Sequence, residues 1–271
     1  NSLEQAGTVD IGSVVNGVIG AANDMDCFRF KATAGQRVII AAWAERIDSR
    51  LDATLELFDP TGSLVQLNRD WDGHDALLDY TPEVDGEYVV RLYDFQYTGG
   101  AEHFYRLWVT DGPYVDSIAP PIAEPGTKQS FTLYGRNLPG GTATKWETPG
   151  GPLEALTVEF EVPAASENPE LNWASPVRPA EAVFDGVDYR LTTEKGTSNP
   201  LRIARATAPV VLEQEPNSEE GTAQAVEAPC EVAGQFQQLG DVDYYTFTAI
   251  KGTVYQIELV SQRFGLPTDP L

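Results

Sequence analysis

Cysteine and histidine are scarce in this chain, with two of each among 271 residues. Two cysteines cannot build the framework of a disulfide-stapled scaffold, and neither His74 nor His103 has another His or a Cys at zinc-ligand spacing. Cys27 and Cys230 read as separate buried thiols, a single disulfide between them being the alternative. Basic residues are few, 18 against 41 acidic ones, for a formal charge of −23. Such a surface repels nucleic acid and anionic membranes, which argues against both as partners. No run approaches the roughly 18 apolar residues that a membrane-spanning helix needs. No signal peptide is visible, but the chain starts inside a repeated motif, so that absence does not bear on secretion. There is no Gly-x-Ser-x-Gly elbow or comparable setting for a nucleophile, and the chain reads as non-enzymatic.

What the chain does have is a stretch that occurs twice. Gly17, Asp24, Asp26, Phe28, Phe30, Ala32 and Gly35 are matched by Gly234, Asp241, Asp243, Tyr245, Phe247, Ala249 and Gly252, each 217 positions later. The match resumes at Asp52 and Asp269. Towards the N-terminus, Asn1-Ser2 can be set against Asn217-Ser218 if one residue is gapped before Gly17. The second copy stops at Asp269-Pro270-Leu271, where the first is only entering Ala53-Thr54-Leu55. Both ends fall inside a motif, as expected of a piece of something longer.

The pattern between these landmarks is that of strands and turns, with hardly a helical period. Gln36–Ala44 is β-branched and apolar enough for a central strand, and Thr54–Phe58 alternates before the turn Asp59-Pro60-Thr61-Gly62. Short strands follow at Ser63–Leu67, Glu87–Tyr93 and His103–Val109. Their spacing of about 8–12 residues signals an antiparallel sandwich or jelly roll. After Asp111-Gly112-Pro113 the texture changes, with strands expected around Ser130–Leu138, Leu156–Glu161 and Tyr189–Thr193 and a long surface loop at Pro163–Pro179. The chain is thus all-β, divided into a jelly-roll-like sandwich at 1–112, an Ig-like sandwich at 113–210, and half of a second jelly roll at 211–271.

The order Glu-x-Glu-Pro-Asn, Gly, Gly-Asp-x-Asp-Tyr-Tyr-x-Phe, Gly, Asp-Pro-Leu resembles the bacterial pre-peptidase C-terminal domain. The first copy adds Leu55-Glu56-Leu57-Phe58-Asp59-x-x-Gly62, Asn68-x-Asp70 and Asp85-Gly86-Glu87-Tyr88-Val89-Val90-Arg91-Leu92. Together the copies carry the resemblance over 1–112 and 211–271. Val115-x-x-Ile118 with Gly135-Arg136-Asn137-Leu138 is similar to the opening of IPT/TIG immunoglobulin-like domains. The resemblance implies jelly-roll-like sandwiches of secreted or surface bacterial proteins, often beside a peptidase and without catalysis of their own. It extends to the collagen-binding modules of clostridial collagenases, where a related arm and Asp pair hold calcium.

For the residues themselves, period two places Glu213, Glu215 and Asn217 on one side of an extended arm, and Asp241 and Asp243 stand at the mouth of the next strand. Four carboxylates and an amide carbonyl meet calcium's demand for oxygens; the alternative is that the Asp pair caps a turn. Ser218 stands where some calcium-binding relatives carry a further acid. Asp24, Asp26 and Asn1 make a lesser version without the Glu-x-Glu arm. The loop Asn68–Asp75 lacks the ligand spacing of an EF-hand and reads as a turn. Phe28, Phe30, Tyr88, Phe104, Tyr245 and Phe247 sit at strand period and read as core. Trp71, Tyr97, Trp146 and Trp173 fall in loops or at strand edges, and Trp71 and Tyr97 are the candidates for gripping a peptide or sugar. The reading is a calcium-stiffened structural or adhesion module of a secreted or cell-surface protein, its partners other domains of the parent. The rival is a module targeting a hydrolase to an extracellular polymer, collagen-like peptide or polysaccharide.

Overall fold

The structure is a computed structural model and describes residues 2–164 and 185–264. Trp173, most of the Pro163–Pro179 loop, Asn1 and Asp269-Pro270-Leu271 lie outside the described residues. Within them the regular structure is strand, with only single 3-10 turns besides.

The first nine strands are β1 (Gly7–Thr8), β2 (Ser13–Val18), β3 (Met25–Ala32), β4 (Val38–Trp43), β5 (Ala53–Phe58), β6 (Leu64–Asn68), β7 (Leu77–Tyr80), β8 (Gly86–Asp94) and β9 (Phe104–Thr110). They form two facing sheets, ordered β1-β3-β8-β5-β6 and β2-β9-β4-β7. All pairings are antiparallel except β1 with β3. Between the sheets lie Phe30, Val38, Ile40, Leu55, Leu57, Leu78, Tyr88, Val90, Leu92, Tyr105 and Leu107, all buried.

β4 is buried along its whole length, and the reason is that both its faces are covered. Val38, Ile40 and Ala42 point into the sandwich. Ile39, Ala41 and Trp43 point the other way, where they pack with Leu77 and with Tyr114 of the next unit. A continuous rather than alternating apolar run is what a strand covered on both faces requires. β5 is also wholly buried, although its sequence alternates. Its outward Glu56 receives the Arg91 guanidinium and the Tyr93 hydroxyl, and Arg91 lies between the Phe58 and Tyr93 rings.

The second group comprises β10 (Tyr114–Ala119), β11 (Ile122–Ala123), β12 (Lys128–Arg136), β13 (Thr142–Thr148), β14 (Gly151–Glu161), β15 (Gly186–Tyr189), β16 (Thr192–Thr193), β17 (Gly196–Thr197) and β18 (Leu201–Arg205). A sheet β10-β12-β14-β13 faces a sheet β11-β18-β15, with β16 and β17 as a small hairpin. Their core holds Val115, Ile118, Phe131, Leu133, Val162 and Ile203, and Phe131, Phe160 and Tyr189 stack in series at centroid distances of 4.2 and 4.4 Å.

The two groups are joined by a buried ionic node. Asp79 of β7 accepts from Arg37 at 2.7 Å through both oxygens, from Arg136 of β12 at 2.6 Å and from Thr148 of β13 at 2.5 Å. Arg136 is completely buried, pairs also with Asp116, and stacks over Trp71 at 4.7 Å. Burial alone would raise the Asp79 pKa. The hydrogen bonds from Arg37 and Thr148 and the Arg136 charge outweigh it and hold the carboxyl below its usual range.

The last strands are β19 (Val210–Leu212), β20 (Gln224–Ala225), β21 (Glu231–Ala233) and β22 (Tyr245–Thr246). β19 pairs with β21 and β20 with β22, both parallel. The sequence repeat recurs here in backbone detail. Gly7↔Phe28 and Thr8↔Arg29 of the first copy return as Gln224↔Tyr245 and Ala225↔Thr246. The 3-10 turn Leu3–Gln5 returns as Glu220–Thr222. Each is displaced by 217 positions with no gap, which corrects the N-terminal alignment. Ser2, ahead of the first turn, corresponds to Glu219 and not to Ser218.

Tyr245 and Phe247 depart from the core reading, remaining 37% and 36% exposed. Their counterparts Phe28 and Phe30 pack in the first sandwich because β8 pairs with β3 and the facing sheet covers it. The described part of the second copy has no equivalent of β5 to β9. Ile250, Val254, Ile257 and Leu259 are exposed for the same reason. Cys27 is buried, whereas Cys230 is only half-buried, and both are free.

Candidate metal centre

The chain leaves β19 at Leu212 and runs as an arm through Glu213, Glu215 and Asn217 towards the turn that carries Asp241 and Asp243. Two long-range contacts set the arm in place. The Glu213 amide donates to the Ala233 carbonyl at 2.9 Å, and the Tyr244 amide donates to the Asn217 carbonyl at 2.9 Å. Thus the arm is fixed to β21 at one end and to the entry of β22 at the other, and its acids face the Asp pair.

Carboxylate oxygens of Glu215, Asp241 and Asp243 lie within 4.8 Å of one another. Glu213 joins this group through Asp243, whose pKa is pushed up to about 6 by burial first and then by the Glu213 and Asp241 charges. Asn217 is fully buried. Its backbone N–H donates to Glu215 at 2.9 Å and its side-chain amide to Glu213 at 3.2 Å. The Asn217 Oδ1 and the Asp243 Oδ1 are buried and accept no hydrogen bond. Leaving such acceptors unpaired costs about 1–3 kcal/mol each, more for a charged group. A cation coordinated by them would remove that cost and the repulsion among the acids together. The residues present fit a hard divalent ion.

The turn-capping alternative holds for the first Asp of each pair. Asp24 accepts the Gly20 N–H at 3.0 Å, and Asp241 accepts the equivalent Gln237 N–H at 2.6 Å. The second Asp differs between copies. Asp26 accepts the Tyr105 hydroxyl at 2.5 Å, so in the first copy this carboxylate already has a strong donor. Asp243 instead meets other acids.

Two participants have no simple sequence signal. Tyr245 donates its hydroxyl to Glu213 at 2.6 Å, a task its aromatic position in a strand does not announce. Gly234 makes room for the arm, since a Cβ there would lie 2.8 Å from the Glu213 Oε1. At the equivalent Gly17 a Cβ would lie 2.3 Å from the Tyr105 hydroxyl. The repeat therefore conserves an open spot above the second Asp and fills it differently in each copy.

Trp71 and Tyr97 pack against different partners. Trp71 lies against Arg136 at the ionic node, while Tyr97 stacks on Tyr93 at 5.3 Å, held in a left-handed backbone conformation (φ 57°). They remain 41% and 47% exposed.

The raised Asp243 pKa gives a pH prediction. A carboxyl that holds its proton more tightly when folded contributes stability that is present below the unfolded pKa and lost as pH rises through the folded value. In metal-free protein the melting of the 211–264 unit should fall between about pH 4 and pH 6. A divalent ion held by these acids would stabilise more strongly over the same interval, as the acids ionise. Calorimetry of dialysed protein across this range checks it; a melting point flat in pH, with and without calcium, counts against the cluster.

No family model and no curated protein matches the chain. Among solved structures it is similar to the pre-peptidase C-terminal domain of a collagenase from Bacillus anthracis, at 16% identity and a TM-score of 0.34, covering 41% of this chain and 99% of that one. It is also similar to periplasmic inhibitors of g-type lysozyme. The one from Aeromonas hydrophila has 18% identity, a TM-score of 0.30 and coverages of 38% and 94%. The one from Salmonella Typhimurium has 22% identity, a TM-score of 0.28 and coverages of 38% and 96%.

Proposed function

We propose that this chain is a non-catalytic structural segment of a secreted or cell-surface protein, in which calcium bound by Glu213, Glu215, Asn217, Asp241 and Asp243 fixes the last unit to the arm that precedes it. The observation that carries this reading is the pair of buried, unpartnered oxygens on Asn217 and Asp243 in the midst of four acids. The ion would tie the arm to the strand entry, two segments otherwise held together by few hydrogen bonds. The strand that leads into the arm, β19, is anchored to the Ig-like unit, since the Val210 N–H donates to Glu124 at 2.9 Å. Ion binding would thereby stiffen the junction between the two units.

Extracellular calcium modules bind with Kd of roughly 0.1–1 mM. At about 1 mM calcium, roughly one to ten times such a Kd, binding stabilises by about 0.4–1.4 kcal/mol, a shift of roughly 2–11 °C for a unit of this size. EGTA at neutral pH should reverse it, and Asp243→Asn should remove most of it. If millimolar calcium leaves the melting point unchanged, the reading fails.

A further inference from the structure

The loop between β6 and β7 divides its acids between two tasks. Asp72 and Asp75 receive Arg46 at 2.6 and 2.5 Å, and Asp75 also accepts the N–H groups of Ala44 and Glu45. Asp70 and His74 turn the other way, towards Asp52 at the entry to β5. The donor atoms of Asp52, Asp70 and His74 all lie within 4.8 Å of one another. The His74 Nδ1 is 3.6 Å from the Asp70 Oδ1 and 3.9 Å from the Asp52 Oδ1. These separations are too long for hydrogen bonds. They are close to the roughly 3.4 Å that separates two ligands each about 2.1 Å from a tetrahedral ion.

A second observation concerns Asp52 alone. Its Oδ1 is buried and accepts no hydrogen bond, although its backbone is fully engaged, N–H to the Asp94 carboxylate at 3.0 Å and C=O from the Phe95 N–H at 2.8 Å. Burial pushes its pKa up, with the Asp70 and Asp94 charges adding to the rise and His74 and Arg69 opposing it. The loop also fixes the imidazole's position. Glu45 Oε2 accepts the His74 N–H at 2.7 Å. The preceding Gly73 has a φ of 63° and passes so close that a Cβ would lie 2.1 Å from that oxygen. Arg69, the nearest competing cation, lies over the Phe95 ring and reaches only the far Asp70 oxygen, at 3.4 Å.

We infer that Asp52, Asp70 and His74 form a site for a first-row divalent transition metal such as zinc, separate from the arm site. One imidazole and two carboxylates suit zinc, whereas calcium calls for six to eight oxygens. Three protein ligands leave a fourth position to solvent or to a group on a partner. The inference does not depend on the calcium reading.

Zinc titrated into the full chain in excess calcium, so that the arm acids are engaged, tests it by imidazole 1H–15N spectra. With two histidines in the chain, each signal is assignable. The His74 signals should shift and saturate near one equivalent while those of His103 stay put. His74→Ala and Asp52→Asn should each weaken binding about tenfold or more, and Asp241→Asn should not. Zinc binding that survives His74→Ala and Asp52→Asn, or His74 signals that respond to pH but not to about 1 mM zinc, would overturn the site. Either result leaves the calcium test standing, and a failed calcium test leaves this one interpretable.

Discussion

Asp79→Ala should destabilise the first two units by about 3–5 kcal/mol, the cost of stranding buried charge when one partner of a buried ion pair is removed. The carboxylate is 1% exposed and holds two guanidiniums and a hydroxyl from two strands and a loop. Without it Arg136, which has no exposure at all, keeps only Asp116, and one of its Nη atoms already lacks a partner. Because the node sits between two sandwiches, the loss should also separate their melting, so that one cooperative transition becomes two. Glu102→Ala provides the control. Its pair with Arg50 is 67% and 74% exposed, and removing it should cost under about 0.5 kcal/mol. Urea unfolding followed by tryptophan fluorescence reads both. Equal effects from the two substitutions would mean that the node does not couple the units.

The second large effect contrasts the two glycines of the repeat. In Gly17→Val the new side chain meets the Tyr105 ring end, with Cβ 2.3 Å from its oxygen and 2.4 Å from its ζ carbon. Tyr105 is 2% exposed and cannot swing away without leaving Asp26. Overpacking at about 1–3 kcal/mol and a lost hydrogen bond to a charged group at about 1.5–3 kcal/mol together give a cost of about 2.5–6 kcal/mol. In Gly234→Val the clash is with the end of the Glu213 side chain, which can turn aside. That variant should lose little metal-free stability yet lose its response to calcium. Thermal melts of both proteins, with and without calcium, make the comparison. A calcium response retained by Gly234→Val would detach Glu213 from the site.

The sequence reading succeeded where one residue type has one local reason. Gln36–Ala44 is apolar throughout and becomes β4; Asp59-Pro60-Thr61-Gly62 is a turn, with Asp59 accepting from Thr61 and Ser63. The sequence suggested the arm acids and the Asp pair through period two and a short repeat, but the arm is not a strand: it bends at Glu215, and Asn217 folds back to donate to Glu215 and Glu213. What was not legible depends on distant chain. β7 has four residues and an Asp in it, so its burial follows from Arg37 and Arg136, which no local pattern connects to Asp79. Asp52 likewise joins Asp70 and His74 only through the pairing that sets β5 beside β6. Tyr245 and Phe247 were misread because strand period marks which face a residue is on, not whether anything covers that face. Thr193 and Tyr189 were read as one strand, yet the pairing changes at Arg190-Leu191, where the chain leaves β18 and forms its own hairpin.

The double burial of β4 bears on how the molecule can be taken apart. A cut at the Asp111-Gly112-Pro113 turn looks natural, since no strand pairing crosses it among the described residues. Yet such a cut would strip Tyr114 from Ile39, Ala41 and Trp43 and leave an oily wall on the first fragment. It would also take Asp79 and Trp71 from Arg136 on the other. The smallest piece that leaves neither sandwich with a bared apolar face runs through both of them.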